Sequence, residues 1–399
     1  MQSFTGKEYL KIDLANHFGM DKEDWDVRLN WVNQNEEVLG AMVSQAEEPT
    51  LFYAALQAYR SKDTAIGYPI SLDATASGLQ LLACLTRDKE AAKLCNVVNV
   101  GKRMDAYTAV FGYMQDYLGT TSTVARKACK LAVMASLYGS TQEPEKAFSP
   151  EALPVFYQVM TEKTPLVWEL NEALKEMWDS NALSHSWVLP DGFEVVIPVM
   201  GIKKETVIFG GKSIEVTYKE NMPKKRGRSL CANLVHSVDG MVVREIVRRC
   251  SMNKDGFTTL VQALELNKKY GKSTPRIIED GDELFLSLWN NYLVTGYLSS
   301  RILEVATARN VQYVDPEPIL ELIGSLPKES FAVMPTHDCF RIHPNYGDSL
   351  RREYNYQLAM ITRSRMLDSI LSQMLNQEIK LDLGDLDWKD VLETEYALS

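Results

Sequence analysis

Apolar residues recur at three-to-four spacing over residues 7–60, where Leu10, Leu14, Phe18, Val27, Trp31 and Val38 mark a helical face. The period changes after Gly67. Residues 68–73 read as a short strand, and Ser77-Gly78 opens a helix that runs to Arg87. Three more helical segments are predicted over 103–118, 122–138 and 150–181. Residues 185–198 read as two strands around the turn Pro190-Asp191-Gly192, and a second pair of strands flanks Gly210-Gly211. A helix over 229–250 leads into a mixed stretch, 252–330, with a helical pattern near 283–309 and an acidic run at 279–283 that reads as a solvated face. Two short strands, 331–335 and 339–343, bracket Thr336-His337-Asp338, and a helix over 347–376 leads into the tail. No fixed-period repeat or low-complexity tract appears, which argues against a solenoid.

The 399 residues are enough for two or three domains, and 45% hydrophobic with 24% charged residues is a globular composition. A compact monomer of 45.1 kDa is expected to expose roughly 16,000 Å². The net charge of −10 repels polyanions on average, although a basic channel inside an acidic shell escapes that average. Cys84, Cys95, Cys129, Cys231, Cys250 and Cys339 form no C-x-x-C pair, so they read as buried thiols in a reducing cytosol. The first 19 residues hold no apolar h-region, and no later stretch nears 18 uncharged apolar residues. The expectation is a chain that is neither exported nor membrane-spanning.

Candidate chemistry begins with Arg126, Lys130, Met134 and Tyr138, followed by Gly139. Four-residue steps advance about 400° each, so these side chains form one stripe of a helix. The stripe reads either as a solvated face or as a phosphate site, in which Arg grips bidentately and Lys acts as a point charge. Asp73 and Asp338 each end or interrupt a β-like run. Either alone reads as a turn residue or cap. Together they suggest a pair of Mg²⁺ ions, which take one or two carboxylates plus substrate phosphates. The five histidines are scattered, and no activated Ser or Cys accompanies His337, so neither zinc nor nucleophilic catalysis is indicated. Glycine-rich phosphate loops of the Walker or Rossmann type are absent. The basic stretch 221–228, with Lys224, Lys225, Arg226 and Arg228, reads as a solvated loop or a nucleic-acid contact.

Asp73-Ala-Thr-Ala-Ser77-Gly78-Leu-Gln80, with Arg87-Asp88, resembles motif A of the bacteriophage and mitochondrial single-subunit RNA polymerases. Arg126-x-x-x-Lys130 with Tyr138-Gly139 resembles their motif B, and His337-Asp338-Cys339-Phe340 their motif C. His236-Ser-Val-Asp239-Gly240 and Pro190-Asp191-Gly192-Phe193 are similar to two further family segments. Leu10-Lys11-Ile12, Ala15-Asn16 and Asp21-Lys22 match the start of the polymerase half, and Trp388 to Ser399 its carboxyl-terminal foot. The matches run in family order over nearly the whole chain. Pol I-type DNA polymerases share the Arg, Lys, Tyr-Gly helix but carry Glu where this chain has Gln80 and Val-His-Asp-Glu at motif C, so RNA synthesis is favoured. Two departures stand out: an apparent insertion near 252–330, and no counterpart of the family's promoter domain and thumb. The latter resembles the larger subunit of heterodimeric N-four-type phage RNA polymerases.

The resemblance implies an α+β, mostly helical right hand of palm and fingers with a short antiparallel palm sheet. It divides the chain into 1–100 (the start of this half, with motif A), 101–185 (fingers, with motif B), 186–250 (hairpin, specificity-loop-like region and His236 helix), 251–330 (insertion) and 331–399 (motif C, helix and foot). It implies nucleotidyl transfer from NTPs to an RNA 3′-end on a DNA template. Asp73 and Asp338, with a backbone contact from Gly78, would hold two Mg²⁺, while Arg126, Lys130 and Lys22 neutralise the triphosphate and Lys130 protonates pyrophosphate. Tyr138 and His236 would select ribose, assisted by Tyr107, with Gly139 also at the substrate, and the 221–228 loop would fall in the promoter-reading region. The implied partners are DNA template, nascent RNA, NTPs, a smaller subunit and an accessory promoter-opening factor, in the cytoplasm of an infected bacterium. An inactive polymerase-like scaffold, a primase and a DNA polymerase are the competing readings.

Overall fold

The computed structural model describes residues 1–61, 66–119, 124–227, 229–271 and 281–399. Helices dominate, joined by small antiparallel sheets, the α+β class that the sequence implies. The stretches 103–118, 122–138 and 229–250 each hold one continuous helix, whereas the longer ones break. Over 7–60 the chain forms Gly6–Ala15, Trp25–Asn35 and Pro49–Arg60: a Thr5–Glu8 capping box starts the first, and Pro49 starts the third. The stretch 150–181 is two helices, Ala152–Lys163 and Pro165–Glu176, because Pro165 has no N–H for a continuous ladder. Likewise 347–376 splits into Gly347–Arg363 and Met366–Leu375.

Among the described residues seven strands follow in chain order: β1 Ile70–Asp73, β2 Ser184–Val188, β3 Glu194–Pro198, β4 Met200–Phe209, β5 Lys212–Asn221, β6 Met334–Thr336 and β7 Cys339–Ile342. β2 pairs with β3 and β4 with β5 as two-stranded ribbons. β1, β7 and β6 form one antiparallel sheet in that order. Ile70, Leu72, Phe340 and Ile342 point into the core from one face of it, leaving Ser71, Asp73, Cys339 and Arg341 on the other. The predicted strand at 331–335 shrinks to β6, while Phe331 and Val333 are buried without ladder pairing.

The sheet rests on the main core, and the helix Ser77–Thr86 continues from β1 beneath it. Gln80 is fully buried there. Its side-chain amide nitrogen lies within 3.0 Å of Thr75 Oγ1 and of the carbonyls of Cys95 and Ala397, and its Oε1 accepts from the Tyr354 hydroxyl at 2.8 Å. A buried amide so satisfied ties three distant segments to the end of β1.

Met252, Leu260, Leu264, Phe285, Leu288 and Ile319 belong to a second, separate core within 252–326. Buried charges key it to the helix Ser229–Cys250. Glu245 accepts from Ser300 N at 2.9 Å and Ser300 Oγ at 2.6 Å, and Arg249 donates to the Ser325 carbonyl at 2.8 Å. Arg244 and Arg301 converge on Asp191, Arg244 Nε on its carboxylate at 2.6 Å and Arg301 Nη1 on its carbonyl at 2.8 Å. The Pro190-Asp191-Gly192-Phe193 turn is thus a joint between the two cores.

Candidate active site

Strand register brings Asp73 and Asp338 together. Asp73 lies opposite Cys339 on the hydrogen-bonded β1–β7 pair, and Asp338 immediately precedes Cys339 in the turn from β6, where His337 takes a φ of 57°. The Ala74 N–H donates to the Asp338 carbonyl at 3.1 Å. On the other side of the segment, Asp73 and Ser399 exchange backbone hydrogen bonds of 3.3 and 2.9 Å, and Thr75 N–H donates to Ala397 O at 3.2 Å. The backbone carrying Asp73 is therefore held from two sides.

Both carboxylates line a cavity of about 590 Å³. Burial, then the neighbouring Asp338, pushes the Asp73 carboxyl up to about 6. Asp239, on the helix Ser229–Cys250, is pushed up to about 6 by the same two causes. Among the described residues no Lys, Arg or His stands within 4 Å of the Asp73 or Asp338 carboxylate, and no third ligand joins them into a metal cage. Two close, unpaired carboxylates form an uncompensated negative site. Their hard oxygen donors suit Mg²⁺, which usually keeps waters and substrate phosphates as its other ligands.

The opposite wall is the helix Arg126–Leu137, whose stripe of Arg126, Lys130, Met134 and Tyr138 lines the same cavity. Arg126 pairs with Asp105, and its Nε donates to Thr108 Oγ1 at 2.6 Å. Asp105 caps the helix Ala106–Leu118 by accepting from the N–H groups of Tyr107 and Thr108, both at 3.0 Å. Burial opposes its charge, but the Thr108 N–H and Arg126 outweigh that and hold its carboxyl below the ordinary value. Among the described residues Lys130 has no carboxylate within 4 Å, and it lies 5.4 Å from the centre of the Tyr107 ring. Burial first, and Tyr138 next, pushes the Tyr107 phenol up to about 12.

Gly78 faces the Tyr138 hydroxyl: a Cβ there would lie 3.1 Å from Tyr138 Oη and 3.6 Å from Val235 Cγ1. The missing side chain keeps that corner open. His236 is exposed beside it, its ring centre 5.1 Å from that of Tyr138. Lys22 is at the cavity, 56% exposed. Gly139 is not among the lining residues. With φ 84° it ends the helix, its N–H donating to Ser136 O and that of Ser140 to Ala135 O, both at 2.9 Å, the paired bonds of a Schellman cap. Lys224, Lys225 and Arg226 are exposed on the link from β5, outside the cavity lining, and Arg228 lies outside the described residues. Gln80, the position that separates the polymerase families in sequence, sits in the core rather than at the cavity.

Sequence reasoning missed several charged residues of the lining, among them Asp13, Arg103, Asp105 and Arg341. Asp105 was findable as the cap in Asp-Ala-Tyr-Thr before a helix. Arg341 was findable from strand alternation, which puts it on the face of Asp73.

Residues 3–177 match the family model of DNA-dependent RNA polymerase. A probable DNA-directed RNA polymerase of Gelasinospora sp. is 25% identical over 353 residues, covering 81% of this chain and 38% of its own length. The mitochondrial DNA-directed RNA polymerase of Schizosaccharomyces pombe is 32% identical over 165 residues, 34% of this chain and 14% of its own length. A DNA-directed RNA polymerase of Pseudomonas phage phiKMV is 28% identical over 137 residues, 28% of this chain and 16% of its own length. The chain thus spans well under half of each of these relatives.

Proposed function

We propose that this chain, whose residues 3–177 match the family model of DNA-dependent RNA polymerase, is the catalytic part of a single-subunit-type enzyme of that family from a phage. It would transfer nucleotidyl groups from NTPs to an RNA 3′-end on a DNA template. One observation carries the reading: an unpaired carboxylate pair, Asp73 and Asp338, shares a cavity with the cationic stripe Arg126 and Lys130. Bound to that pair, two Mg²⁺ would activate the 3′-hydroxyl and offset charge on the leaving pyrophosphate. Asp105 and Thr108 pre-orient Arg126 for a polyphosphate, so its ordering costs little when substrate arrives. Lys130, without a carboxylate partner among the described residues, is available both to hold the phosphate and to donate a proton to the leaving group. Tyr138, with Gly78 and His236 against it, would meet the sugar edge of the nucleotide.

Lys224, Lys225 and Arg226, exposed and without acidic partners among the described residues, support a contact with template DNA. A companion protein chain is also proposed. The accessible surface of 20137 Å² exceeds the roughly 16,000 Å² of a compact chain this size by about a quarter, leaving area for a partner to cover. An accessory factor for promoter opening and action in the cytoplasm of an infected bacterium complete the proposal, the latter supported by the phage relative. Extension of an RNA primer on a DNA template, by the chain alone and co-expressed with its companion, tests the central claim. Template-directed, Mg²⁺-dependent incorporation of NTPs that disappears in Asp73→Asn is expected. Absence of incorporation in both preparations, or undiminished extension by Asp73→Asn, would overturn it.

A further inference from the structure

Arg341 lies at the centre of the open face of the palm-like sheet. It is on β7, opposite Ser71 of β1 on one side and Met334 of β6 on the other. Alternation puts it on the face that carries Asp73 and Cys339, one same-face step of about 7 Å along the strand from the Asp73–Cys339 pair. It is exposed and lines the same cavity. Among the described residues its guanidinium makes no ion pair within 4 Å and no hydrogen bond.

That lack of a partner is informative because acidic groups are near. Asp13 faces this part of the cavity, but it is already committed: Tyr68 OH donates to its Oδ2 at 2.6 Å, Ser71 N–H to its Oδ1 at 3.0 Å, and His17 Nε2 lies 3.4 Å from Oδ2. His17 is in turn held by Glu48 at 2.7 Å. Asp73 and Asp338 lie beyond ion-pair distance. Arg341 therefore offers five uncommitted donors to the cavity in a planar fork that matches phosphate oxygens. A structural arginine of this fold looks different: Arg28, Arg249 and Arg351 are fully buried and bonded to carbonyls or carboxylates.

The geometry points to Arg341 as a phosphate-binding residue on the floor of the site, beside the carboxylate pair and separate from the Arg126–Lys130 wall. The inference rests on the polymerase reading above. A phosphate here has two sources, the backbone of the RNA strand whose end must reach Asp73 and Asp338, or the NTP triphosphate, and the test separates them. Arg341→Gln and Arg341→Lys are compared with the unaltered chain, co-expressed with its companion, by fluorescence anisotropy with a labelled RNA–DNA hybrid over a salt series and by steady-state kinetics in NTP. Arg341 has no intramolecular partner to lose, so melting temperatures should be unchanged.

If the strand is the ligand, Arg341→Gln weakens hybrid binding roughly tenfold at low salt and lowers the salt slope by about one, while Arg341→Lys keeps most of the slope. If the triphosphate is the ligand, hybrid binding stays the same and KM for NTP rises about tenfold with little change in kcat. An unaltered protein that extends RNA while Arg341→Gln matches it in both assays overturns this inference alone. An unaltered protein that neither binds the hybrid nor extends RNA overturns the polymerase reading, and this inference with it.

Discussion

The longest strands of the molecule and some of its shortest sit under opposite conditions. β4 and β5 pair over ten residues each, yet nearly all their side chains are exposed, with Ile208 and Phe209 at the tip each 77% accessible. β1, β6 and β7 have four, three and four residues, but their inner face is buried by Leu72, Phe340 and Ile342. A two-stranded ribbon without a covered face is marginal by itself, whatever its ladder length. The short sheet is also tied at its ends by the Gln80 amide and by the backbone bonds to Ser399. Precision at the carboxylate pair comes from packing and polar satisfaction around the strands, more than from the strands themselves.

Substitutions on the two sides of that contrast should therefore behave differently. The largest effect is expected at the open face of the short sheet: Asp73→Asn or Asp338→Asn should lower RNA synthesis by about 10³-fold or more while the fold survives. Primer extension beside a thermal melt checks it, and loss of the melt transition would show that the charge serves the fold instead. On the buried face, Leu72→Ala should destabilise by about 2–5 kcal/mol through lost burial and a residual cavity. Val207→Thr on the ribbon should change stability by no more than about 0.5 kcal/mol. Denaturant unfolding of both variants sharpens the comparison, and equal costs would erase it.

At the cavity wall, Tyr138→Phe removes one hydroxyl beside Gly78, so preference for rNTP over dNTP should fall roughly tenfold. An unchanged incorporation ratio would move sugar selection to other residues. The smallest effect concerns pH. The folded chain holds a proton on Asp73 up to about 6, above the ordinary carboxylate range, so it binds more protons than the unfolded chain between about pH 4 and 6. This group's contribution to stability is present below that window and is lost as pH rises through it. In chelator, Asp73→Asn should thus melt slightly above wild type at pH 7 and level with it near pH 4, a small gap because water in the cavity screens the charge. Melts at the two pH values check the sign.

Much of the site was legible along the chain because its groups follow local periods. The stripe from Arg126 to Tyr138 is a four-residue repeat on one helix, and it does line the cavity. Asp73 and Asp338 were readable as a candidate pair from their places at two β-like runs, and the resemblance added their roles, but the register that sets them side by side joins residues far apart in the chain and is recorded by no local pattern. Gly139 illustrates the opposite case: its motif position suggested a ligand contact, whereas its N–H and positive φ serve helix termination. Gln80 separates families in sequence and yet acts in the core.

Local patterns along the chain were enough for the run of helices and for the hairpins at 185–198 and around Gly210-Gly211, while the family resemblance supplied the α+β class and the order of the motifs. The helices and hairpins rest on periods of two to four residues or on turn chemistry, which neighbouring residues encode. Only the tertiary structure decided that Asp191 joins the two cores through Arg244 and Arg301, that Gln80 binds Ala397, and that residues 397–399 pair with the segment carrying Asp73. It alone showed Arg341 to be unpaired among the described residues while Asp13 is satisfied. The reason is physical: whether a charge is neutralised, and whether a polar group is buried with a partner, depends on segments tens to hundreds of residues away, and no short-range pattern records those distances.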